Sequence, residues 1–182
     1  MRLEVLDEEW TPPRLLFRED KVARLRELVR PGSVVVVVGL SGVGKSTLVR
    51  KALPGAAVVD CSVKRSYPSI VRELAGRLGV RARSVAVAAE EILEVEGKVV
   101  VLDDYTLAHR SRRLLRLVEG LGERHALALV GHPSIAGELE GLADAFVRMP
   151  PYSPRELYGI LEDRALAGEL PVSEEALWAI AG

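Results

Sequence analysis

This sequence predicts an α/β fold: a five-stranded parallel sheet flanked by helices, followed by the start of a small helical lid. Three observations lead there. Val34 to Val38 form an unbroken valine run, which reads as a strand buried on both faces, because β-branched side chains fit the pleat and no polar face is left. Four more apolar runs of strand length follow at 56–60, 98–104, 126–131 and 145–149, separated by segments of helical spacing. Strands alternating with helices imply parallel pairing with both faces covered. After Pro150 the pattern turns helical only, so the expected division is a core at 1–150 and a partial lid at 151–182.

Each element has its own signal. In "SIVRELAGRLGV", Ile70, Leu74 and Leu78 recur four apart, on one helix face. "SVAVAAEEILEV" and "RSRRLLRLVEGLG" read as helices closed by glycine. The stretch between Asp60 and Lys98 has room for two helices split near Gly79, where an ordinary crossover needs one. Ser153 or Pro154 opens "RELYGILEDRALAG", and Ser173 with Glu174 and Glu175 behind it N-caps the last helix. Trp10 and Trp178 read as packing residues of core or lid.

Bulk properties narrow the class. At 182 residues with a net charge of −1, the chain can bury a full core, and nothing global favours nucleic acid or an anionic membrane. A single cysteine, Cys61, allows no intrachain disulfide and suits a reducing cytoplasm. No apolar run is long enough to span a bilayer, and the acidic N-terminus lacks a signal-peptide core. Asn and Gln are absent and Arg outnumbers Lys, which fits a thermophilic source or a GC-rich genome.

The chemistry begins directly after the valine strand. Gly39-Leu40-Ser41-Gly42-Val43-Gly44-Lys45-Ser46 satisfies G-x-x-x-x-G-K-[ST] without a mismatch. The glycines allow a tight turn whose N–H groups converge on phosphate oxygens. Lys45 supplies charge for the β- and γ-phosphates, Ser46 a hydroxyl for Mg²⁺, and Thr47 opens a helix whose positive end faces the same anion. ATP or ADP with Mg²⁺ is the expected ligand. "VVVLDDY" at 99–105 ends a buried strand in two acids: Asp103 is placed to hold Mg²⁺ through water, and Asp104 to polarise an attacking water. "ALALVGHP" ends a neighbouring strand at His132, which reads either as a γ-phosphate sensor with Ser134 behind it or as a cap on the loop before Pro133.

Taken in order, "PRLLFREDKVARLREL", the phosphate loop, "VVDCSVKRSYPSIVRELAGRLGV", "VVVLDDY" and "FVRMPPYSPRELYGILEDRA" resemble the P-loop NTPases of the AAA+ type. They are most like the archaeal origin-recognition and Cdc-type replication initiators. The resemblance rests on Arg18-Glu19 at the first helix, Asp60-Cys61 after the second strand, and Pro151-Tyr152-Ser153 before a leucine-rich helix ending at Arg164. It implies an adenine cleft near Arg14, Leu15, Phe17 and Tyr152, residues that equally suit packing of the N-terminal arm on the lid. It also implies other AAA+ subunits as partners.

Departures from that pattern bear on activity. Family members usually carry Glu where this chain has Asp104, and Asn where it has His132. Pro133 to Val147, where an arginine finger belongs, contains no Arg or Lys, and the lid arginine would fall beyond Gly182. A slow Mg²⁺-dependent ATPase is therefore expected. The alternative is a nucleotide-binding switch or assembly subunit with little hydrolysis; a P-loop kinase fits less well. Basic residues at 61–85 and in "HRSRRLLR" suit either DNA phosphates or a solvated helix face.

Overall fold

The computed structural model describes residues 2–6, 12–95 and 97–182; Trp10 lies outside them. Five strands, Ser33–Gly39 (β1), Ala57–Asp60 (β2), Val99–Asp103 (β3), Ala126–Gly131 (β4) and Ala145–Met149 (β5), form one sheet in the order β2-β3-β4-β1-β5, every neighbour parallel. Eight helices accompany them among the described residues: Glu19–Leu28 (α1), Lys45–Ala52 (α2), Tyr67–Leu78 (α3), Val85–Glu94 (α4), Arg112–Arg124 (α5), Ala136–Leu139 (α6), Pro154–Gly168 (α7) and Glu174–Ala181 (α8). None is long and apolar enough to cross a membrane.

The valine run makes sense once both faces are followed. Val34, Val36 and Val38 enter the core shared with α3, α4 and α5, while Val35 and Val37 enter the one under α1 and α2. Strand β4, between β1 and β3, divides its residues likewise: Leu127 and Leu129 to the first core, Ala128 and Val130 to the second. A strand with two buried faces cannot alternate apolar with polar, so its sequence is a continuous apolar run.

Two helices do lie between β2 and β3. The first starts on a capping box between Ser66 and Ser69 and stops at Gly79, whose φ of 74° closes it in the left-handed conformation. The expected glycine stops on the next two helices do not hold. Helix α4 ends at Glu94 on an extended Val95. Helix α5 runs through Gly120 and Gly122 to Arg124. A Cβ on Gly122 would stand 2.4 Å from Cγ2 of Val34, and one on Gly120 3.0 Å from Leu93. These glycines let α5 approach the sheet and α4 closely.

Past β5 the chain enters α7 and α8, which meet through stacked Tyr158 and Trp178 rings with centroids 4.4 Å apart. The N-terminal segment joins them: the Arg2 amide donates to the Gly168 carbonyl at 2.7 Å, and Val5 is buried. Ser153 N-caps α7 in a capping box, its amide and hydroxyl donating to the Glu156 carboxylate at 2.7 and 2.8 Å. These two bonds, the backbone one foremost, lower the pKa of Glu156. A carboxylate lowered in the folded state stabilises it above the unfolded pKa, and this is lost as pH falls through the folded pKa. Glu156→Ala is therefore expected to melt below wild type at neutral pH, with the gap closing on acidification. Melting temperatures of both proteins across acid pH measure this.

Candidate nucleotide site

The C-terminal ends of β1, β2 and β3 open into a cleft of about 760 Å³, walled by the phosphate loop, the segment from Pro12 to Leu16, and helix α7. Ligands of open α/β sheets occupy this edge. The loop itself takes the shape its glycines permit, with φ of 79° at Gly42 and 85° at Gly44, where α2 begins. Gly39 answers a different demand, since a Cβ there would stand 2.6 Å from the Met149 carbonyl oxygen and 2.8 Å from Val43 Cγ2. Ser41, Gly42, Gly44, Lys45, Ser46 and Thr47 line the cleft. Gly39 is packed behind it, and the side chain of Val43 is buried in the core, so neither presents a side chain to a ligand.

Lys45 is only 9% exposed, and its ammonium donates to the Leu40 carbonyl at 2.7 Å, which holds it within its own loop. Burial lowers its pKa, while Asp104 and Asp103 act in the opposite sense. Asp103 ends β3 beside Asp60 of β2. Burial raises its pKa, and the bond it accepts from the Ser46 hydroxyl partly offsets this. A carboxylate held next to a hydroxyl, against its own desolvation, is a hard oxygen pair suited to a cation such as Mg²⁺, which keeps most of its water and takes one or two protein ligands. Cys61, next to these acids, has its thiol pushed up to about 12, by burial first, and is inert as a nucleophile.

Asp104 lines the cleft in a left-handed conformation, φ 49° and ψ 38°, starting the short turn Tyr105–Leu107. Asp tolerates that region better than most residues. Tyr105 anchors the turn. Its ring is fully buried, its hydroxyl has no partner among the described residues, and burial pushes its pKa up to about 12. An unsatisfied buried hydroxyl is a cost. Tyr105→Phe is thus expected to equal wild type or exceed it by up to about 1 kcal/mol in equilibrium denaturation, and a clear loss of stability would refute that account.

His132 is not among the residues that line the cleft. Its Nδ1 accepts from the Ser134 amide at 3.2 Å and lies 3.1 Å from the Ser134 hydroxyl, while its own amide donates to Thr106 Oγ1 at 2.8 Å. These bonds make His132 the N-cap of the short turn that begins at Pro133. Of the four base-cleft candidates, Arg14, Leu15 and Tyr152 line the cleft. Phe17 does not: its φ of 61° turns the chain, and its ring lies against Gly159 of α7, 3.2 Å from where a Cβ would stand.

The cleft also contains residues that their sequence context does not assign to it. Arg50 follows Ser46 by four residues, one turn of α2, a spacing that was available. Leu157, Ile160, Leu161 and Arg164 lie along one face of α7. Arg164 brings an arginine of α7 to the cleft wall. Arg148, by contrast, is exposed on β5 with its guanidinium 5.8 Å above the Phe146 ring, and Arg110 is paired with Glu138.

Sheet order, loop and cleft together define the P-loop NTPase fold. Residues 35–134 match the family described as the viral superfamily 1 RNA helicase core domain, more than half of the chain, and the chain belongs to that family. Over nearly its whole length it has the fold of the AAA+ replication initiators. Cdc6p from Pyrobaculum aerophilum is 26% identical with a TM-score of 0.79, the match covering 100% of this chain and 58% of that one. The ORC2 protein of Aeropyrum pernix in its ADP form is 21% identical, TM-score 0.79, covering 99% and 60%. The replication initiator DnaA bound to AMPPCP and single-stranded DNA is 15% identical, TM-score 0.61, covering 97% and 60%. The chain thus spans about three-fifths of the length of these structures. No curated protein matches it by sequence. The helicase match spans β1 to β4; the initiator likeness extends to α1, β5 and the two helices beyond.

Proposed function

We propose that this chain binds ATP or ADP with Mg²⁺ in the cleft and hydrolyses ATP slowly, as the nucleotide-binding part of an initiator-like AAA+ ATPase. The observation that carries the reading is the phosphate loop, with Lys45 buried at its mouth and the Ser46–Asp103 pair beside it. In this reading residues 1–150 are the core and 151–182 a partial lid. Gly42, Gly44 and the first turn of α2 cradle the phosphates, with Gly39 and Val43 contributing backbone shape. Arg14, Leu15 and Tyr152 border the base. Ser46 and Asp103 hold Mg²⁺, which supplies positive charge to the phosphate oxygens when bound. ADP and ADPNP complexes of the ORC2 protein of Aeropyrum pernix support the choice of ligand.

Slow turnover follows from what surrounds Asp104. Its carboxylate is one methylene shorter than that of Glu, and a misplacement of about 1 Å can cost on the order of a hundredfold in rate. His132 is engaged with Ser134, and 133–147 carries no cation. In this reading an arginine finger, worth about 10³–10⁵ in turnover, comes from a partner AAA+ subunit. Binding of a fluorescent nucleotide with and without Mg²⁺, followed by single-turnover phosphate release, tests the proposal. Asp104→Asn, which keeps a residue at ease in the left-handed region, is expected to retain affinity and lose hydrolysis. Equal rates for the two would remove Asp104 from the chemistry.

A further inference from the structure

Arg18 is only 5% exposed, in a chain whose other arginines are mainly at the surface. Burying a guanidinium is costly unless its donors are used. Its Nη2 donates to the Pro150 carbonyl at 2.7 Å and its Nη1 to the Phe17 carbonyl at 3.2 Å, while Nε is buried without a partner. The guanidinium lies 3.9 Å from the centroid of the Tyr152 ring. Arg18 therefore ties the start of α1 to the linker between β5 and α7, and it does so across 132 positions of sequence.

The other end of Tyr152 faces the phosphate loop: its hydroxyl is 3.6 Å from where a Cβ would stand on Gly44. Helix α7 begins at Pro154, two residues later, and meets Phe17 again at Gly159. The joint thus runs from Arg18 through Tyr152 to Gly44 on one side and into α7 on the other. We propose that Arg18 is a positioning residue that holds the Tyr152 hydroxyl against the phosphate loop, so that nucleotide occupancy of the loop and the placement of helix α7 are coupled. This rests on the nucleotide-binding reading above. Covering an aromatic ring while bonding two carbonyls needs arginine; lysine offers a point charge that cannot do both. Burial raises the pKa of the Tyr152 phenol, with Arg18 acting the other way, so the group facing Gly44 remains a neutral hydroxyl.

A double-mutant cycle tests the coupling. In a Trp10→Phe background, Trp178 is the single tryptophan and reports on the lid through its stack with Tyr158. Nucleotide Kd and the nucleotide-induced change in Trp178 emission are measured for wild type, Tyr152→Phe, Arg18→Met and the pair. Tyr152→Phe keeps the ring under Arg18 and removes the hydroxyl together with its hydrogen bond to Arg18, so about a fivefold loss of affinity is expected, the size of one hydrogen bond. Arg18→Met is expected to match it, the pair to be no worse than the poorer single, and the emission change to vanish in all three. Arg18→Lys, which keeps the charge on a single donor nitrogen, is expected to lose the emission change too, and it carries the test if Arg18→Met does not fold. An Arg18 with a purely structural role would lower the melting temperature yet leave the Kd and emission response of the folded protein at wild-type values. That result, multiplicative losses in the cycle, or a Tyr152→Phe protein identical to wild type would each overturn the coupling. Wild type failing to bind nucleotide would overturn the site reading itself, and the coupling with it.

Discussion

Lys45→Ala is expected to weaken nucleotide binding by about a hundredfold or more while the protein stays folded. A hydrogen bond to a charged group contributes roughly 1.5–3 kcal/mol, and each 1.4 kcal/mol is a factor of ten in Kd. Lys45 is nine-tenths buried, so its charge toward a phosphate is weakly screened by solvent. The same burial places it beside Asp103 and Asp104. Removing the ammonium leaves two carboxylates facing an incoming polyanion, which adds repulsion to the lost attraction. The fold has little stake in the change: alanine suits the first turn of α2, and the one bond lost runs from the ammonium to the Leu40 carbonyl. Titration of a fluorescent nucleotide against both proteins, with melting curves alongside, decides it. A folded variant with wild-type Kd would mean that the loop does not hold phosphate.

Gly39→Ala carries the largest expected loss of stability, about 3 kcal/mol or more, at the upper end of overpacking costs. The new methyl would lie 2.6 Å from the Met149 carbonyl oxygen, 2.8 Å from Met149 Cβ and 2.8 Å from Val43 Cγ2. The first two cannot rotate away, since one is backbone and the other is the root of its side chain. Gly39 pairs with Met149 in the β1–β5 ladder, so relief has to come from parting those strands, and the phosphate loop moves with them. Gly42→Ala is the control. No atom lies within 4 Å of the Cβ it would add, and the only strain is its φ of 79°, worth about 1–2 kcal/mol. Chemical denaturation of both variants measures the contrast. Similar losses at the two positions would show that conformation, and not strand contact, is what glycine supplies at position 39.

Much of this protein was legible in its sequence because the relevant neighbours are neighbours in the chain. The valine strand, the turn after it and the first turn of α2 occupy consecutive residues, so their spacing already specifies the phosphate loop. Asp103 and Asp104 follow their strand just as directly. The five parallel strands and the doubled helix between β2 and β3 follow from apolar runs and helical periods, which are local quantities. Only the tertiary structure could decide where those elements meet. Gly122 looked like a helix stop until Val34 was seen 2.4 Å from its absent Cβ. His132 caps its loop through Ser134 and bonds Thr106 through its amide, contacts that its place after β4 does not specify. A left-handed turn sets Phe17 onto α7 and off the cleft wall, while the packing of α7 over the loop brings Arg164 to it. Periodicity assigns a residue to a face of its helix and is silent on what that face meets. That is determined by contacts such as Arg18 to Pro150, between residues 132 positions apart, which no window of sequence contains.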